Sequence, residues 1–179
     1  MRKVVHKWFW VWQADKEEKW LNEMSAKGLC LVAVSFCRYE FEECLPGEYQ
    51  FRLEMLEHLP SHPESVKYIE FVESTGAEHI GSYQRWVYFR KKTADAPFDL
   101  FSDNASRIKQ LSRIITLLIP IDILNLYIGA YNIFIARTLN SPFNYAGVIN
   151  LILGILLLVG ILRLGKKRKL LKKDQQIFE

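Results

Sequence analysis

The pattern of apolar and polar positions divides the chain into two parts that suit different solvents. Residues 1–95 mix charged, apolar and aromatic side chains, whereas residues 114–136 and 145–162 are long apolar stretches with almost no charge. At a rise of about 1.5 Å per residue, both stretches are long enough to cross about 30 Å of hydrocarbon. The pattern therefore predicts a soluble domain followed by two transmembrane helices.

The predicted organisation has six segments, and the short link between the two apolar stretches makes the helices an antiparallel hairpin. The segments are a cytoplasmic α+β domain (1–95), an amphipathic juxtamembrane linker (96–113), transmembrane helix 1 (114–136), a short external loop (137–144), transmembrane helix 2 (145–162) and a basic cytoplasmic tail (163–179). Ser102 or Asp103 is the predicted N-cap of the linker helix.

The soluble part begins with a strand and a helix. Residues 4–12 (VVHKWFWVW) are β-branched or aromatic without Gly or Pro, which is typical of a strand. Asp15 and Glu18 have the spacing of a capping box, and Gly28 provides a helix end. A helix is therefore predicted over residues 16–27.

The rest of the soluble part predicts three strands and one helix. An apolar run over 29–42, a turn at 45–48 and the alternating segment 49–55 indicate a β-hairpin, and a helix over 63–76 precedes a strand over 79–91. The order βαββαβ is that of the ferredoxin-like fold, in which both helices cover one face of an antiparallel sheet and leave the other face open.

Aromatic residues make the open face a candidate binding surface. Alternation along the first strand places Trp8, Trp10 and Trp12 on one face and other apolar groups on the other, so both faces need cover. A second copy, the juxtamembrane segment or a loop could provide it. Alternatively, this surface recognises a ligand or a protein partner. The candidate binding residues are Trp8, Trp10, Trp12, Tyr39 and Trp86.

Charge separates the two parts and argues against nucleic acid as a partner. The chain carries a net charge of +4, but residues 1–95 contain 13 Lys or Arg against 15 Asp or Glu, a net of −2. Nucleic-acid binding normally needs a concentrated basic face, and residues 47–52 lack the basic-glycine pattern of RNA-binding sheets. The basic surplus lies beside the apolar stretches instead, where it suits anionic lipid headgroups.

The basic residues also predict the orientation in a bacterial inner membrane. Arg107, Lys109 and Arg113 precede the first apolar stretch, whereas the external loop contains only Arg137. The tail contains Arg163 and the candidate headgroup-binding residues Lys166, Lys167, Arg168, Lys169, Lys172 and Lys173. By the positive-inside rule, the chain is a multi-pass protein of the cell membrane with both termini in the cytoplasm.

A stripe of polar and small residues is predicted between the two transmembrane helices. Its members are Asp122, Asn125, Gly129, Asn132, Gly147, Asn150 and Gly154. Such residues allow close approach and hydrogen bonding between helices. An ionised carboxylate in the bilayer costs at least about 2.5 kcal/mol, so Asp122 is predicted to be protonated and paired with Asn125 or an opposing residue, or to meet a cation of a partner.

Cysteine, histidine and acidic residues give no catalytic or metal motif. Three cysteines, spaced by seven, are predicted to be reduced packing residues of a cytosolic domain. His58 and His62 have i, i+4 spacing, but the neighbouring prolines argue against a helix there and no third ligand is evident. No phosphate loop or nucleophile elbow is found. The sequence therefore predicts no cofactor, no metal and no catalytic residue.

Several short motifs together resemble a bacterial family, domain of unknown function 2812, over roughly residues 8–110. The resemblance rests on Trp20–Gly28 (WLNEMSAKG), Tyr39–Glu42, Gly47–Tyr49, Gly76, Tyr88–Lys91 and Phe101–Asp103. It implies carboxy-terminal membrane helices and a regulatory partner, since members are often encoded beside PadR-type transcriptional regulators. It implies no enzyme activity.

Two functional hypotheses follow. The first is a non-enzymatic, membrane-tethered cytoplasmic sensor or adaptor that binds a ligand or protein through its aromatic surface. The alternative is an accessory subunit of a membrane transporter that docks through the polar stripe. The expected partners are membrane lipids and a protein, which is a transcriptional regulator, a transporter or a second copy.

Overall fold

A computed structural model describes residues 2–95, 98–100, 104–139 and 145–178. The chain forms two compact units, Met1–Ser102 and Asp103–Glu179. The first unit contains the strands and two short helices, and the second contains two long helices. The predicted N-cap at Ser102 or Asp103 and most of the external loop lie outside the described residues.

The first unit is a tandem repeat of β-α-β-β. Its elements are β1 (Lys3–His6), a 3₁₀ turn (Val11–Gln13), α1 (Ala14–Ala26), β2 (Leu29–Ser35), β3 (Arg38–Glu43), β4 (Tyr49–Met55), α2 (Pro63–Ser74), β5 (Glu78–Tyr83) and β6 (Trp86–Lys92). They form two antiparallel three-stranded sheets, with orders β1-β3-β2 and β4-β6-β5. The central strand of each sheet is thus the last strand of its repeat.

This architecture confirms the α+β class but differs from the predicted ferredoxin-like order. The runs 29–42 and 79–91, each predicted as one strand, are both β-hairpins. Their turns place Cys37 at φ 54° and Gln84 at φ 56°, in the left-handed region. Because that conformation favours Gly and Asn, neither turn carries the usual sequence signal for a two-residue hairpin.

The predicted hairpin across residues 45–48 is also wrong. Those residues connect the two sheets, because β3 pairs with β1 and β2 whereas β4 pairs with β6. The turn itself forms where Gly47 adopts φ 73°. β4 is thus an edge strand, with β6 on one side only, and another element covers its second edge.

Side chains of α1 cover that edge. Asn22 Nδ2 donates to Phe51 O at 3.0 Å, and Phe51 N donates to Asn22 Oδ1 at 2.9 Å. Leu53 N donates to Glu18 Oε2 at 3.3 Å, and Ser25 Oγ donates to the first carbonyl of β4 at 2.6 Å. Since an exposed strand edge invites unwanted pairing, these bonds replace a neighbouring strand.

The observed start of α1 differs from the predicted start at residue 16. The helix begins at Ala14, and the Glu18 carboxylate bonds to β4 instead of closing a capping box with Asp15. Two other predicted helix boundaries are correct. Gly28 follows α1 with φ 77°, and Pro63 occupies the first turn of α2.

Two apolar cores stabilise the first unit. Fully buried members of the core that contains α1 are Leu21, Leu31, Phe41 and Phe51. Buried members of the core that contains α2 are Leu56, Ile69, Val72, Val87 and Phe89. The core that contains α1 includes residues of both central strands, β3 and β6, whereas the core that contains α2 includes residues of β6.

The predicted reduced state of the cysteines is corrected for two of them. Cys30 and Cys44 form a disulfide with Cα atoms 6.0 Å apart, and Cys37 is a free, half-buried thiol. The β2–β3 hairpin creates the pair, because Cys30 lies opposite Glu42 and Cys44 follows two positions later. The sequence spacing could not show this without the hairpin.

The second unit consists of α3 (Asn104–Thr138) and α4 (Tyr145–Phe178). The predicted linker helix and first apolar stretch form one continuous helix, as do the second stretch and the basic tail. The helices are antiparallel, since Gly129 lies against Leu151 while Ser112 receives a hydrogen bond from Arg168.

Both long helices are long and apolar enough to span a membrane. Within the most apolar 18-residue segment of each helix, only 28% is buried in α3 and 22% in α4. Large apolar side chains such as Ile123, Phe134, Ile149 and Ile155 are exposed. A core helix of a soluble protein would be mostly buried, so this pair lacks apolar cover on its outer surface.

Candidate functional site

Five aromatic rings form a continuous line on the first unit, which we call the aromatic row. It consists of Tyr83, Phe36, Trp8, Trp10 and Trp12. The ring centroids of successive members lie 5.6, 5.7, 5.5 and 4.9 Å apart. The last pair is stacked, and two of the other three contacts are edge-to-face, which are favourable aromatic geometries.

The row depends on where β1 ends. The predicted strand over 4–12 is wrong beyond His6, because its partner β3 begins at Arg38, opposite His6. Lys7 N then donates to Cys37 O at 3.0 Å, which carries the chain past the β2–β3 turn. The three tryptophans follow in an extended segment and the 3₁₀ turn, where they contact one another without strand alternation.

Two members of the row are strongly exposed. Trp8 is 55% and Phe36 is 59% accessible, whereas Trp10, Trp12 and Tyr83 are half-buried. Exposed aromatic groups supported by half-buried ones are typical of protein–protein interfaces, where Trp and Tyr contribute much of the binding energy.

The other two predicted binding residues lie elsewhere. Tyr39 is buried in the core that contains α1, and Trp86 packs against the same core. Phe36 and Tyr83, which complete the row, were missed because each lies beside an unrecognised hairpin turn. The repeated β-α-β-β pattern is the sequence signal that could have located both hairpin turns and their aromatic residues.

The row lies at one end of the first unit, and Phe98 lies at the other. Its members Phe36 and Tyr83 lie at the two hairpin turns. The central strand β6 runs from that end to Lys92, which pairs with Tyr49 at the start of β4. Phe98 N then donates to a side chain of β4 at 3.0 Å, just before the unit ends.

A buried carboxylate joins the two sheets. Glu17 Oε1 accepts hydrogen bonds of 2.7 Å from Tyr39 Oη and from Tyr88 Oη. These tyrosines lie on the two central strands, β3 and β6. Burial raises the pKa of Glu17 above its ordinary value, although both hydrogen bonds oppose the rise. Burial also raises the pKa of Tyr39 and of Tyr88. The negative charge of Glu17 is the second cause of this rise.

This arrangement favours a structural role for Glu17. Both hydroxyl groups already donate to its carboxylate, and Trp20 packs edge-on against Tyr39 at 5.0 Å. Sequence reasoning did not single out Glu17, because acidic residues are common in the first turn of a helix. The residue links α1 to both sheets and thereby fixes their relative position.

The predicted polar stripe divides into two kinds of position. Asp122 and Gly129 are buried on α3, while Gly147 and Gly154 are close to α3 side chains or backbone. The amides of Asn125, Asn132 and Asn150 donate to carbonyls four residues earlier in their own helices. Small residues therefore create the close approach, and these three amide bonds lie within single helices.

Asp122 lacks its predicted pairing with Asn125. The side chain is only 4% exposed, and Oδ1 has no hydrogen-bond partner among the described residues. Asn125 Nδ2 instead donates to Ile121 O at 2.8 Å. The carboxyl group thus lies within the second unit and away from its exposed outer surface.

The basic residues of the tail lie in the carboxy-terminal half of α4. Lys166, Lys167, Lys169, Lys172 and Lys173 are exposed, whereas Arg168 is half-buried and donates to Ser112 Oγ at 3.3 Å. Five of the six predicted headgroup-binding residues are thus accessible. Arg168 also links the two helices.

Comparison with known proteins gives a family and no characterised relative. A family model described as "Protein of unknown function (DUF2812)" matches residues 13–121, which include most of the first unit and the first half of α3. No curated protein and no solved structure matches the chain.

Proposed function

The chain belongs to the DUF2812 family, and from its two apolar helices and its aromatic row we propose that it is a membrane-tethered, non-enzymatic adaptor or sensor. In this proposal, α3 and α4 anchor the protein and the first unit binds a protein partner. The aromatic row is the observation that carries the proposal.

Exposed apolar side chains support the membrane anchor. The outer surfaces of α3 and α4 carry many large apolar groups, and both helices exceed the length that a bilayer requires. Lysines follow the apolar part of α4, where they can reach anionic headgroups. Burial of this surface in lipid removes an exposure that would be costly in water.

The charge distribution favours a cytoplasmic first unit. Three basic residues precede the apolar part of α3 and seven follow that of α4, against Arg137 between them. The Cys30–Cys44 disulfide favours the opposite side, because such bonds persist mainly in oxidising compartments. We give the charges more weight, because ten basic residues lie on one side of the apolar segments and one lies on the other.

Cys37 provides a native test of this orientation. It is the free cysteine of the first unit, and the second unit contains no cysteine. A membrane-impermeant maleimide should leave Cys37 unlabelled in intact spheroplasts and label it after permeabilisation. A Cys37→Ser variant reports the background, and labelling in intact spheroplasts would place the first unit outside.

The position of the aromatic row supports partner binding. The row lies at the end of the first unit that is opposite to Phe98 and the start of β4. A partner could therefore contact Trp8 and Phe36 without meeting the start of the connecting segment. A mildly acidic unit with an aromatic surface fits a protein better than a nucleic acid.

Crosslinking in native membranes tests the adaptor proposal. We expect the intact protein to capture a cytoplasmic protein, and a Trp8→Ser, Phe36→Ser double variant to reduce that capture at least tenfold. Loss of two interface aromatics commonly costs about 2 kcal/mol or more, which exceeds a tenfold change. Since both side chains are strongly exposed, the variant should still fold.

A matched control is available on α2. Phe71 is 65% exposed and lies outside the row, so Phe71→Ser removes a comparable aromatic side chain. Capture should be unchanged in this control. Equal capture by the intact protein and the double variant would contradict a role for the aromatic row.

The transporter alternative receives less support. It needs Asp122 and the neighbouring small residues to face a third helix. Asp122 is 4% exposed, and Gly129 lies against Leu151 of α4. Gly129 is therefore already used in the contact with α4, and Asp122 is buried within the same pair, so we prefer the adaptor proposal.

A further inference from the structure

Three potential metal ligands meet between β4 and α2. The side chains of His58, His62 and Glu64 each offer one ligand atom, and all three atoms lie within 4.8 Å of one another. His58 Nε2 lies 3.4 Å from Glu64 Oε2, and the two imidazole rings stack with centroids 4.1 Å apart. The sequence prediction that no third ligand is nearby is therefore wrong.

A β-turn brings the histidines together. His62 N donates to Leu59 O at 2.9 Å, with Pro60 at the position where its fixed φ favours such turns. Pro63 then begins α2, which places Glu64 in the first helical turn beside His62. The prolines that argue against a helix thus hold the ligands in a short, restricted segment.

We propose that His58, His62 and Glu64 bind a divalent transition-metal ion of the zinc class. Two imidazole nitrogens and one carboxylate oxygen form a donor set that zinc accepts, whereas calcium and magnesium prefer oxygen ligands. Ligands of tetrahedral zinc are about 3.3 Å apart, given metal–ligand distances of about 2.0–2.1 Å. The 3.4 Å separation of His58 Nε2 and Glu64 Oε2 already fits this requirement.

The site has three protein ligands and is accessible to water. His62 and Glu64 are exposed and His58 is partly exposed. A water molecule would therefore complete the coordination of zinc, as in sites with an open position. We expect weaker binding than in closed four-ligand sites.

Metal binding must compete with a helix cap. Glu64 N donates to His62 Nδ1 at 3.3 Å, so the imidazole is the N-cap side chain of α2. Coordination through either ring nitrogen changes the proton position or the lone pair that this bond uses. The bond is long and exposed, so its loss costs little compared with three new metal bonds.

Zinc titration of the full-length protein in nanodiscs tests the site, with a fluorescent chelator as competitor. Every protein should carry Cys37→Ser, because a free thiol is an alternative zinc ligand. We expect one equivalent of zinc, with affinity at least about tenfold lower after His58→Ala or Glu64→Gln. Cobalt should give the intense visible bands of a tetrahedral site, which these variants should weaken.

Matched variants separate metal binding from folding. His62→Asn removes the imidazole but supplies one of the best N-cap residues, so it should lose zinc and retain α2. His6→Ala removes an exposed histidine of β1 and should bind zinc as the parent does. The proposal is overturned if the parent binds no zinc, or if His58→Ala and His62→Asn bind it with unchanged affinity.

Discussion

Replacing Asn22 by leucine should lower the free energy of unfolding of the first unit by about 2–4 kcal/mol. Asn22 satisfies both backbone groups of Phe51, a residue that is 1% exposed. Leucine has a similar size but no hydrogen-bonding group, so the buried N–H of Phe51 loses its partner, while the C=O keeps only the bond from Arg52 Nη1 at 3.0 Å. The unsatisfied N–H costs about 1–3 kcal/mol, and the lost bond to the C=O adds about 0.5–1.5 kcal/mol.

Tryptophan fluorescence of the full-length protein during denaturant unfolding measures this effect. All five tryptophans lie between residues 8 and 86, so their signal reports the first unit. Glu23→Leu is the matched control, because Glu23 is exposed on the same helix and should change stability by less than about 0.5 kcal/mol. A loss below 1 kcal/mol for Asn22→Leu would contradict the role of α1 as a cover for β4.

The contacts of α1 give a structural reason for one motif of the family resemblance. Asn22 and Ser25 bond to β4, Leu21 is fully buried, and Gly28 ends the helix. These residues all lie within the WLNEMSAKG segment that carries the resemblance. The motif therefore contains residues that attach α1 to β4 in this chain, and it contains no residue of the aromatic row or of the proposed metal site.

The sequence was informative where one residue decides the local backbone. Pro63 and Gly28 correctly marked a helix start and a helix end, and the apolar stretches correctly marked α3 and α4. It was uninformative where Cys37 and Gln84 adopt left-handed conformations. Those two turns hide both hairpins, and the correct sheet topology depends on them.

The same turns limited prediction of the candidate sites. Alternation along a predicted strand singles out the three tryptophans, but Phe36 and Tyr83 join them only through the hairpins. The i, i+4 spacing of His58 and His62 predicts a shared ligand only within a helix, and the neighbouring prolines and the lack of an evident third ligand argue against a site. A proline turn brings them together instead, which i, i+4 spacing cannot show.

Replacing Gly129 by isoleucine should separate α3 from α4. A Cβ atom at this position would lie 2.9 Å from the backbone nitrogen of Leu151 and 2.8 Å from its Cγ. The side chain could rotate away, but the backbone cannot move without shifting α4. We expect the helix axes to move towards the 8–10 Å separation typical of larger contact residues, at a cost of about 1–3 kcal/mol.

Spin labels on the exposed positions Ile123 and Ile155 can measure this separation by pulsed electron resonance in nanodiscs, in a chain with Cys37→Ser. Gly165→Ile is the matched control, because a Cβ atom there meets nothing within 4 Å. The interlabel distance should increase for Gly129→Ile and remain that of the parent for the control. An unchanged distance in both would mean that small residues do not determine how closely the helices pack, and the close approach at Gly129 would then need another cause.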